Sequence, residues 1–577
     1  MSSEAYRRAF EAGLSRDVLA GSHFPAAAGK DAPWRAAGEA WRSRDKPGFI
    51  AAARALRAIE PLKPRVALRL CVALLELGAA REALDVLLDP RAAPTAPEAH
   101  VEMVLAQALL GAGRGGEARA ALDRAQALGV GSGVHAPVAA RLDVVIGLRA
   151  GAGARRPWAE VRELTAGLCE FGLHERAAEA LQAYLEGGEA IPPEAIDQVL
   201  ETATGVFRLI EPCHALPLLA AMRGLYESQG EGLLFATTWR AVLGEADDTP
   251  IPVLAADETR RRAMLACLAQ ACAAAERWRV ATRRFARLAE QSELLPDSLL
   301  ELARCVGRDL LSGLDFELAP PGPRKVFNLI PFNGELMMLE LKLGEMADWV
   351  DHFVIVEAAQ TFTGHPKPMY FQDNRERFKT WADKIIYVPV ESFPPHLETS
   401  WAREFHQKAS AVRGVSGLCA PDDLVLISDV DEIVDRRIFD GLSGDPVSMA
   451  FRTFVYFLNC ELVLDKPSLK AVLLTGRYLP GNGSCYLRLG LARYSKHRHV
   501  PYAGWHFRSV NTPEALEWKM KSYSHENWQH LDRERFEQML AKVRRRRKAD
   551  RYVVRDIDED FPEYLRRHRD ALAQFIL

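Results

Sequence analysis

Short apolar runs alternate with helical patterns in the C-terminal half of the chain. Four mostly apolar runs of four or five residues are typical of strands buried on both faces. They lie at 326–330, 353–356, 385–389 and 424–427. Apolar residues at helical spacing follow the first run, namely Leu336, Leu339, Leu343, Met346 and Val350, and a second helix is expected over 402–414. Strands that alternate with helices predict βαβ units and a mainly parallel sheet.

The N-terminal half, residues 1–315, has a different pattern. It is rich in Ala, Leu, Arg and Glu and poor in strand signals, which favours helix. A unit recurs in it, in which a helical segment ends at a glycine turn and a second helix begins. The turn glycines are Gly78, Gly113 and Gly172, and the first two are 35 residues apart. The unit resembles the tetratricopeptide repeat (TPR), whose period is about 34 residues.

This half is therefore predicted to be an all-α solenoid of TPR-like helix pairs, which would present a concave surface to a partner. A plain helical bundle that only supports the other half remains the alternative. Proline and glycine cluster at 320–323, and such clusters mark domain joints. We predict a multidomain chain with a helical repeat domain at 1–315, a linker at 316–324, and an α/β domain with a helical tail at 325–577.

Composition narrows the function classes. The net charge of −3 argues against a nucleic-acid binder, and acidic residues follow the basic run at 544–548. The nine cysteines are odd in number and lack CxxC spacing, which indicates reduced thiols. No apolar signal segment opens the chain, and no run approaches the roughly 20 residues that cross a bilayer. We therefore expect a cytoplasmic protein without a transmembrane segment, and the Ala- and Arg-rich composition is typical of bacteria.

Carboxylates follow the fourth apolar run almost at once. Asp429 and Asp431 come directly after residues 424–427, where a parallel sheet would place them at its carboxyl edge. Two such hard oxygen ligands suit Mg²⁺ or Mn²⁺, although Asp also caps helices and opens turns. Polar residues also follow the first two runs, at Asn333, Glu335 and Glu357. A parallel sheet would bring all three strand ends together.

Other polar residues have two interpretations each. His506 and His525 are either further metal ligands or phosphate contacts, or histidines with structural hydrogen bonds. Lys367, in a Gly-His-Pro-Lys-Pro loop, either stabilises phosphate charge or is solvated. Arg403 either contacts phosphate with its planar guanidinium or forms a surface ion pair. No Walker loop, no GxGxxG after a strand, no HExxH and no GxSxG motif is present.

Five motifs together resemble glycosyltransferase family 17. They occur in order at 331–336, 353–357, 361–368, 428–433 and 504–506. The resemblance covers about residues 325–530 and implies a GT-A-like, Rossmann-like fold, a UDP-sugar donor (UDP-N-acetylglucosamine by family habit), a divalent metal and inversion at the anomeric carbon. It places Asp429 and Asp431 in the DxD motif that holds the metal and the diphosphate, and Glu335, Glu357 and Lys367 in or beside the donor pocket. The chain departs from the family at Met337 or Met338, where a second acidic residue is common.

The expected reaction is a single displacement that moves the sugar to an acceptor hydroxyl. A carboxylate on the acceptor side would act as general base, and Glu461 and Glu526 are the candidates. The acceptor would be a protein or a bacterial surface glycan recruited by the helical repeats. Two alternatives remain, a repeat-based adaptor whose transferase-like half is inactive, and a metal-dependent phosphoesterase that uses the same carboxylates.

Overall fold

The computed structural model describes most of the chain. The described residues are 37, 46–59, 64–76, 78–89, 98–129, 136–150, 156–187, 191–243, 259–291, 296–439, 446–464, 468–480, 484–493, 498–523, 531–545, 548–549 and 552–577. They form two compact units, Met1–Arg277 and Trp278–Leu577. No described helix is both long enough and apolar enough to span a bilayer.

The described part of the first unit consists of helices and their connecting turns. The helices are α1 (Lys46–Ile59), α2 (Pro64–Glu76), α3 (Ala80–Leu87), α4 (Ala99–Gly111), α5 (Gly115–Ala127), α6 (Ala136–Ala150), α7 (Trp158–Glu170), α8 (His174–Glu186), α9 (Ile196–Phe207), α10 (Pro212–Ala221), α11 (Arg223–Ser228), α12 (Gly232–Val242) and α13 (Thr259–Ala274). The prediction that the N-terminal half is helical is confirmed for the residues that the structure describes.

The turn glycines of the N-terminal pattern end their helices in the same way. Gly78, Gly113 and Gly172 have φ values of 72°, 83° and 71°, a left-handed conformation that glycine adopts without strain. The Gly113 N–H donates to the Leu110 carbonyl and the Arg114 N–H to the Leu109 carbonyl, at 3.1 and 2.8 Å. The same two bonds recur at the other two glycines, so all three turns are Schellman caps. Helix α6 separates the second turn from the third, which explains the irregular period, and the TPR assignment stays a prediction.

The second unit begins with two helices, α14 (Trp278–Gln291) and α15 (Pro296–Ser312). Its other helices are α16 (Leu336–Met346), α17 (Tyr370–Asp373), α18 (Ser400–Ala409), α19 (Arg436–Phe439), α20 (Ser484–Arg493), α21 (Pro513–Ser522), α22 (Arg533–Arg545) and α23 (Glu563–Arg567). Helix α15 packs against α18 and α20. The compact units therefore divide before α14, whereas the sequence pattern places the end of the helical domain at residue 315. Short 3₁₀ segments lie at Arg375–Lys384, Ser410–Gly414, Gly476–Tyr478 and Ala573–Phe575.

Twelve described strands form one mixed sheet in the second unit. They are β1 (Val326–Phe332), β2 (His352–Ala358), β3 (Ile385–Val390), β4 (Leu424–Ile427), β5 (Glu432–Val434), β6 (Val447–Val455), β7 (Cys460–Leu462), β8 (Ser468–Thr475), β9 (Arg498–Val500), β10 (Gly504–Arg508), β11 (Lys548–Ala549) and β12 (Tyr552–Val554). The main order is β11-β12-β7-β6-β8-β4-β1-β2-β3, with β10 pairing with β5 and β6, and β9 with β6.

Only part of this sheet has the expected parallel form. Strands β3, β2, β1 and β4 are parallel neighbours, whereas β8 and β6 continue the sheet antiparallel. Phe332 lies opposite Glu357, and Leu329 lies opposite Ile427. The ends of β1, β2 and β4 therefore share one edge, as predicted from the sequence.

The parallel strands are covered on both faces, which explains why their sequences are apolar without alternation. In β2, Phe353 and Ile355 lie in one core cluster, together with residues of α16. Val354 and Val356 lie in a second cluster, together with Ala411 from the 3₁₀ segment after α18. Because one cluster packs on each face of the sheet, the parallel strands are held in place, and so are the loops at their ends.

Candidate functional site

A cavity of about 480 Å³ lies at the carboxyl ends of β1 and β4 in the second unit. Asn333 and Glu335 reach it from the loop after β1, and Asp429 and Asp431 from the turn after β4. The ends of β6 and β10 complete this wall, and helices α18 and α21 contribute polar side chains to it. Of the three strand ends expected to converge, those of β1 and β4 thus line one cavity with charged groups, and Glu357 on β2 does not line it.

Asp429 is held by cations of the protein itself. The Arg488 guanidinium donates to both Asp429 carboxylate oxygens, with Nη2 lying 2.8 Å from Oδ2, and Lys408 Nζ lies 3.4 Å from Oδ1. Burial alone would raise the pKa of the Asp429 carboxyl, but Arg488 and Lys408 together hold it well below its usual range. Asp429 is therefore ionised, and both of its oxygens are engaged by Arg488.

A buried lysine supports the turn from beneath. Lys342 on α16 is fully buried, and its Nζ donates to Ser428 Oγ, the Asp429 carbonyl and the Glu432 carbonyl at 2.8, 2.9 and 2.5 Å. Burial lowers the pKa of Lys342 to about 7 against the attraction of the nearby carboxylates. Since three acceptors converge on one amine, Lys342 fixes the backbone of the turn from Ser428 to Glu432.

The described residues bring three metal-ligating side chains together: Asp431, Glu432 and His506, whose ligand atoms lie within 4.8 Å of one another. His506 Nδ1 is buried and has no hydrogen-bond partner among the described residues. Burial lowers the pKa of His506 to about 4, so the imidazole is neutral, the form that binds metals. Two carboxylates and one imidazole suit Mn²⁺ or Mg²⁺. The donor set fits a divalent cation. Both Glu432 oxygens also accept hydrogen bonds, Oε1 from Arg488 and Oε2 from the Asp429 backbone N–H, so Glu432 would bind a metal by exchanging one of these bonds.

Asn333 and Glu335 occupy the loop after β1. Glu335 Oε2 accepts the Asn333 backbone N–H at 3.1 Å, and Lys519 Nζ from α21 lies 3.2 Å from Glu335 Oε1. Lys519 Nζ also lies 3.9 Å from Asp431 Oδ2. The lysine links the two strand ends, so both predicted positions line the cavity in a defined geometry.

Glu357 and Lys367 form a separate, closed pair. Both Glu357 oxygens accept the Phe371 backbone N–H, at 3.2 and 3.1 Å, and the Tyr387 hydroxyl donates to Oε2 at 3.0 Å. Lys367 Nζ lies 3.8 Å from Glu357 Oε1, and both side chains are buried. Neither residue lines the cavity. Their predicted place in or beside the donor pocket stays a prediction, and in this structure they hold the entry to α17.

Arg403 is likewise bound to the protein. Its guanidinium donates to the Phe362 and Glu398 carbonyls, each at 2.9 Å, and it does not line the cavity. The bond to Phe362 ties Arg403 to the loop that carries Lys367, and the bond to Glu398 ties it to the residues before α18. In this structure Arg403 therefore binds backbone carbonyls, and its expected contact with phosphate stays a prediction.

The two candidate bases differ in what the structure shows. Glu461 on β7 accepts from Arg452 Nε at 3.0 Å and from Arg555 Nε at 2.6 Å. Burial opposes ionisation of Glu461, but these arginines lower its pKa, and its side chain does not line the cavity although that of Leu462 does. Glu526 lies outside the described residues, as does His525.

Several residues of the site carry no signal in the sequence. Arg488, which engages Asp429, follows it by 59 residues on α20. Lys408 and Lys519 sit on helices whose polar positions look like ordinary solvated faces. Their role becomes visible only once helices and strand ends are placed around one cavity.

Comparisons with known proteins agree with the motif pattern. Residues 316–558 match the model of "Glycosyltransferase family 17". Three curated relatives, from Rattus norvegicus, Homo sapiens and Mus musculus, are each named "Beta-1,4-mannosyl-glycoprotein 4-beta-N-acetylglucosaminyltransferase" and are 27% identical over 231 residues. Each match covers 35% of this chain and 43% of the relative, so the chain spans less than half the length of these proteins. No solved structure matches significantly. The C-terminal unit therefore contains a region that is similar to glycosyltransferase family 17, which confirms the resemblance indicated by the five motifs.

Proposed function

We propose that the C-terminal unit is a glycosyltransferase that moves N-acetylglucosamine from UDP-N-acetylglucosamine to an acceptor hydroxyl. The observation that carries the proposal is the cavity where the ends of β1 and β4 meet, lined by Glu335, Asp429 and Asp431. It lies within the region that matches family 17, and the relatives are named as N-acetylglucosaminyltransferases. The parallel order β3-β2-β1-β4 supports a GT-A-like nucleotide-binding half, since ligands bind outside the carboxyl ends of such strands.

The cavity residues have distinct parts in this proposal. Asp431, Glu432 and His506 would hold a divalent cation, which neutralises negative charge on a diphosphate when bound. Lys342 and Arg488 keep the turn after β4 rigid, which keeps these ligands in place. Lys519 orients Glu335 and lies next to Asp431, so its positive charge would partly offset the negative charge of these two carboxylates where the donor binds.

The direct test is Asp431→Asn, assayed as release of UDP from UDP-N-acetylglucosamine in the presence of Mn²⁺. We expect a loss of at least about 100-fold, because the variant removes a carboxylate that reaches the cavity without a bidentate partner of its own. Asp422→Asn is the matched control, since Asp422 precedes the same strand at its opposite end and pairs with Arg477 on the surface. Full turnover by Asp431→Asn with an intact fold would refute the proposal.

An inactive adaptor is the second candidate, and one observation favours it. Arg488 already engages both oxygens of Asp429, so that carboxylate reaches a metal only if the ion pair rearranges. Titration calorimetry with UDP and Mn²⁺ separates the two functions. Binding of UDP that requires Mn²⁺ supports the transferase, and no binding of either supports the adaptor.

The helical unit would recruit the acceptor, a protein or a surface glycan, in the cytoplasm. Its helix pairs with repeated Schellman turns support this part of the proposal. A chain that begins at Trp278 keeps the whole second unit, including α14 and α15. It should still release UDP from the donor but lose transfer to the native acceptor in cell extracts. Unchanged transfer to that acceptor would assign the helical unit another role.

A further inference from the structure

Most positively charged side chains around the cavity already form ion pairs with carboxylates of the protein. Arg488 binds Asp429 and Glu432, and Lys408 Nζ lies 2.8 Å from Glu404 Oε1. Lys519 pairs with the remaining two carboxylates of the cavity wall, Glu335 and Asp431. Three cations thus serve all five of these carboxylates.

Lys470 and Arg508 line the same cavity, but they do not pair with a carboxylate among the described residues. Neither side chain forms an ion pair or hydrogen bond with any residue that the structure describes. Lys470 lies on β8, and Arg508 is the last residue of β10. Both share this cavity with His506. Burial lowers the pKa of His506, the two positive charges add to that effect, and the charge of Lys470 also lowers the pKa of Asp429 and of Glu432. Two cations therefore remain available beside the carboxylates of the turn after β4.

Two residues next to the Arg508 backbone have strained conformations. Tyr456 and Ser509 have φ values of 65° and 56°, a left-handed conformation that non-glycine residues adopt at a cost. They follow the neighbouring parallel strands β6 and β10, and the Tyr456 N–H donates to the Arg508 carbonyl at 3.2 Å. Both strained residues line the cavity. Such strain persists only where the surrounding structure maintains it, and here it occurs at Tyr456, which donates to the Arg508 carbonyl, and at Ser509, which follows Arg508.

We propose that Lys470 and Arg508 bind the phosphate groups of a nucleoside diphosphate donor in this cavity. The inference rests on the proposed function and adds to it two residues for which the sequence motifs gave no signal. A guanidinium can meet two phosphate oxygens at once, and a lysine acts as a compact point charge. Because the other cations serve the protein's carboxylates, these two supply the positive charge that an incoming anion requires.

Calorimetric titration of the full-length protein tests the proposal with three probes: UDP, uridine and inorganic pyrophosphate, each with Mn²⁺ present. In Lys470→Gln and Arg508→Gln, we expect the affinities for UDP and pyrophosphate to fall about tenfold each, while the affinity for uridine stays unchanged. Lys470→Arg and Arg508→Lys keep the charge and should retain most of the affinity for pyrophosphate. Lys521→Gln and Arg437→Gln are matched controls, since both residues form exposed ion pairs away from the cavity lining.

The outcomes separate this inference from the function on which it rests. If the unaltered protein binds neither UDP nor pyrophosphate, the proposed function fails and the inference with it. If it binds UDP but both glutamine variants bind UDP equally well, only the inference is overturned. An equal loss of uridine and UDP affinity, with a lower melting temperature, would show that the two cations maintain the fold instead of contacting phosphate.

Discussion

Strands β4 and β2 lie in the same parallel sheet, and both lead into carboxylates, but they use them differently. After β4, the side chains of Asp429 and Asp431 reach a cavity and are surrounded by cations. At the end of β2, Glu357 is fully buried and accepts bonds from the Phe371 N–H and the Tyr387 hydroxyl. A carboxylate that follows a buried strand is therefore not in itself evidence of a site.

The difference arises from what covers each strand end. The loop that carries Lys367 folds back over the end of β2, and the Lys367 backbone N–H donates to the Ala359 carbonyl at 2.9 Å. Over β4, the chain turns at once into β5, and Lys342 and Arg488 support that turn from the protein side. The carboxylates of the turn are thus supported from the protein side, and they also line the cavity. Asp431, which Arg488 does not engage, can therefore contact a ligand while the support of the turn stays in place.

The largest expected effect comes from Arg488→Met. It leaves the buried Glu432 carboxylate without the guanidinium that now lies 2.7 Å away, and it leaves Asp429 with only the ion pair to Lys408 at 3.4 Å among the described residues. Breaking a buried ion pair by removing one partner costs about 3–5 kcal/mol. We expect the free energy of unfolding, measured in urea, to fall by that amount. Hydrogen-exchange mass spectrometry of peptides that cover residues 424–434 checks that the turn after β4 is the part that is destabilised.

Arg437→Met is the control for this change. Arg437 forms an exposed ion pair with Asp435, shortly after the same turn, and exposed pairs contribute about 0–1 kcal/mol. Equal losses in the two variants would show that the turn after β4 depends on its ion pairs no more than the surface does, and the contrast with β2 would disappear.

The sequence predicted the parts of this contrast that depend on local pattern. The run at 424–427 coincides with β4, and the run at 353–356 lies within β2 (His352–Ala358). The helix expected over 402–414 is α18 followed by a 3₁₀ segment. These elements could be predicted because strands buried on both faces are continuously apolar, and helices repeat every 3.6 residues.

The remainder depends on contacts between distant residues. Strands such as β5 and β7 have three residues each, too few for a periodic signal. The ion pair between Arg488 and Asp429 joins two segments that share no motif. The contacts that bury Glu357 likewise join separate segments. Helices α14 and α15 have the same composition as the N-terminal half, so their pattern could not show that they pack in the second unit.

An intermediate effect is expected for Glu357→Gln. The variant removes the charge that pairs with buried Lys367 but keeps an oxygen for the Phe371 N–H. We expect a loss of about 1–3 kcal/mol in unfolding free energy, with UDP release within about threefold of the unaltered protein. Glu391→Gln is the matched control, since Glu391 directly follows β3 and is exposed. A loss of turnover with unchanged stability would move Glu357 into the donor pocket, as the family resemblance implies.

A third strand carboxylate, Glu461 on β7, gives the smallest expected effect and sharpens the contrast through its pH dependence. Arg452 and Arg555 hold the pKa of Glu461 below its ordinary value of 4.5, against the effect of burial. A lowered pKa in the folded state means that the unfolded chain binds the proton more tightly. The stabilisation by Glu461 is therefore complete above about pH 4.5 and is lost as the pH falls through the folded-state value. Glu461→Gln should cost about 1 kcal/mol at pH 7, and the difference in unfolding free energy between the variant and the unaltered protein should shrink as the pH falls below about 4.5.

Turnover by the same variant decides between the two roles of Glu461. A carboxylate held by two arginines and outside the cavity lining is expected to leave UDP release and sugar transfer nearly unchanged when replaced. A general base would instead show a loss of about 100-fold or more in transfer, with unchanged donor binding. Glu563→Gln, in the exposed pair with Arg567, controls for the loss of one surface charge. If transfer by Glu461→Gln collapses while its stability matches this control, Glu461 acts as the base expected from the sequence, and β7 is to be grouped with β4 instead of β2.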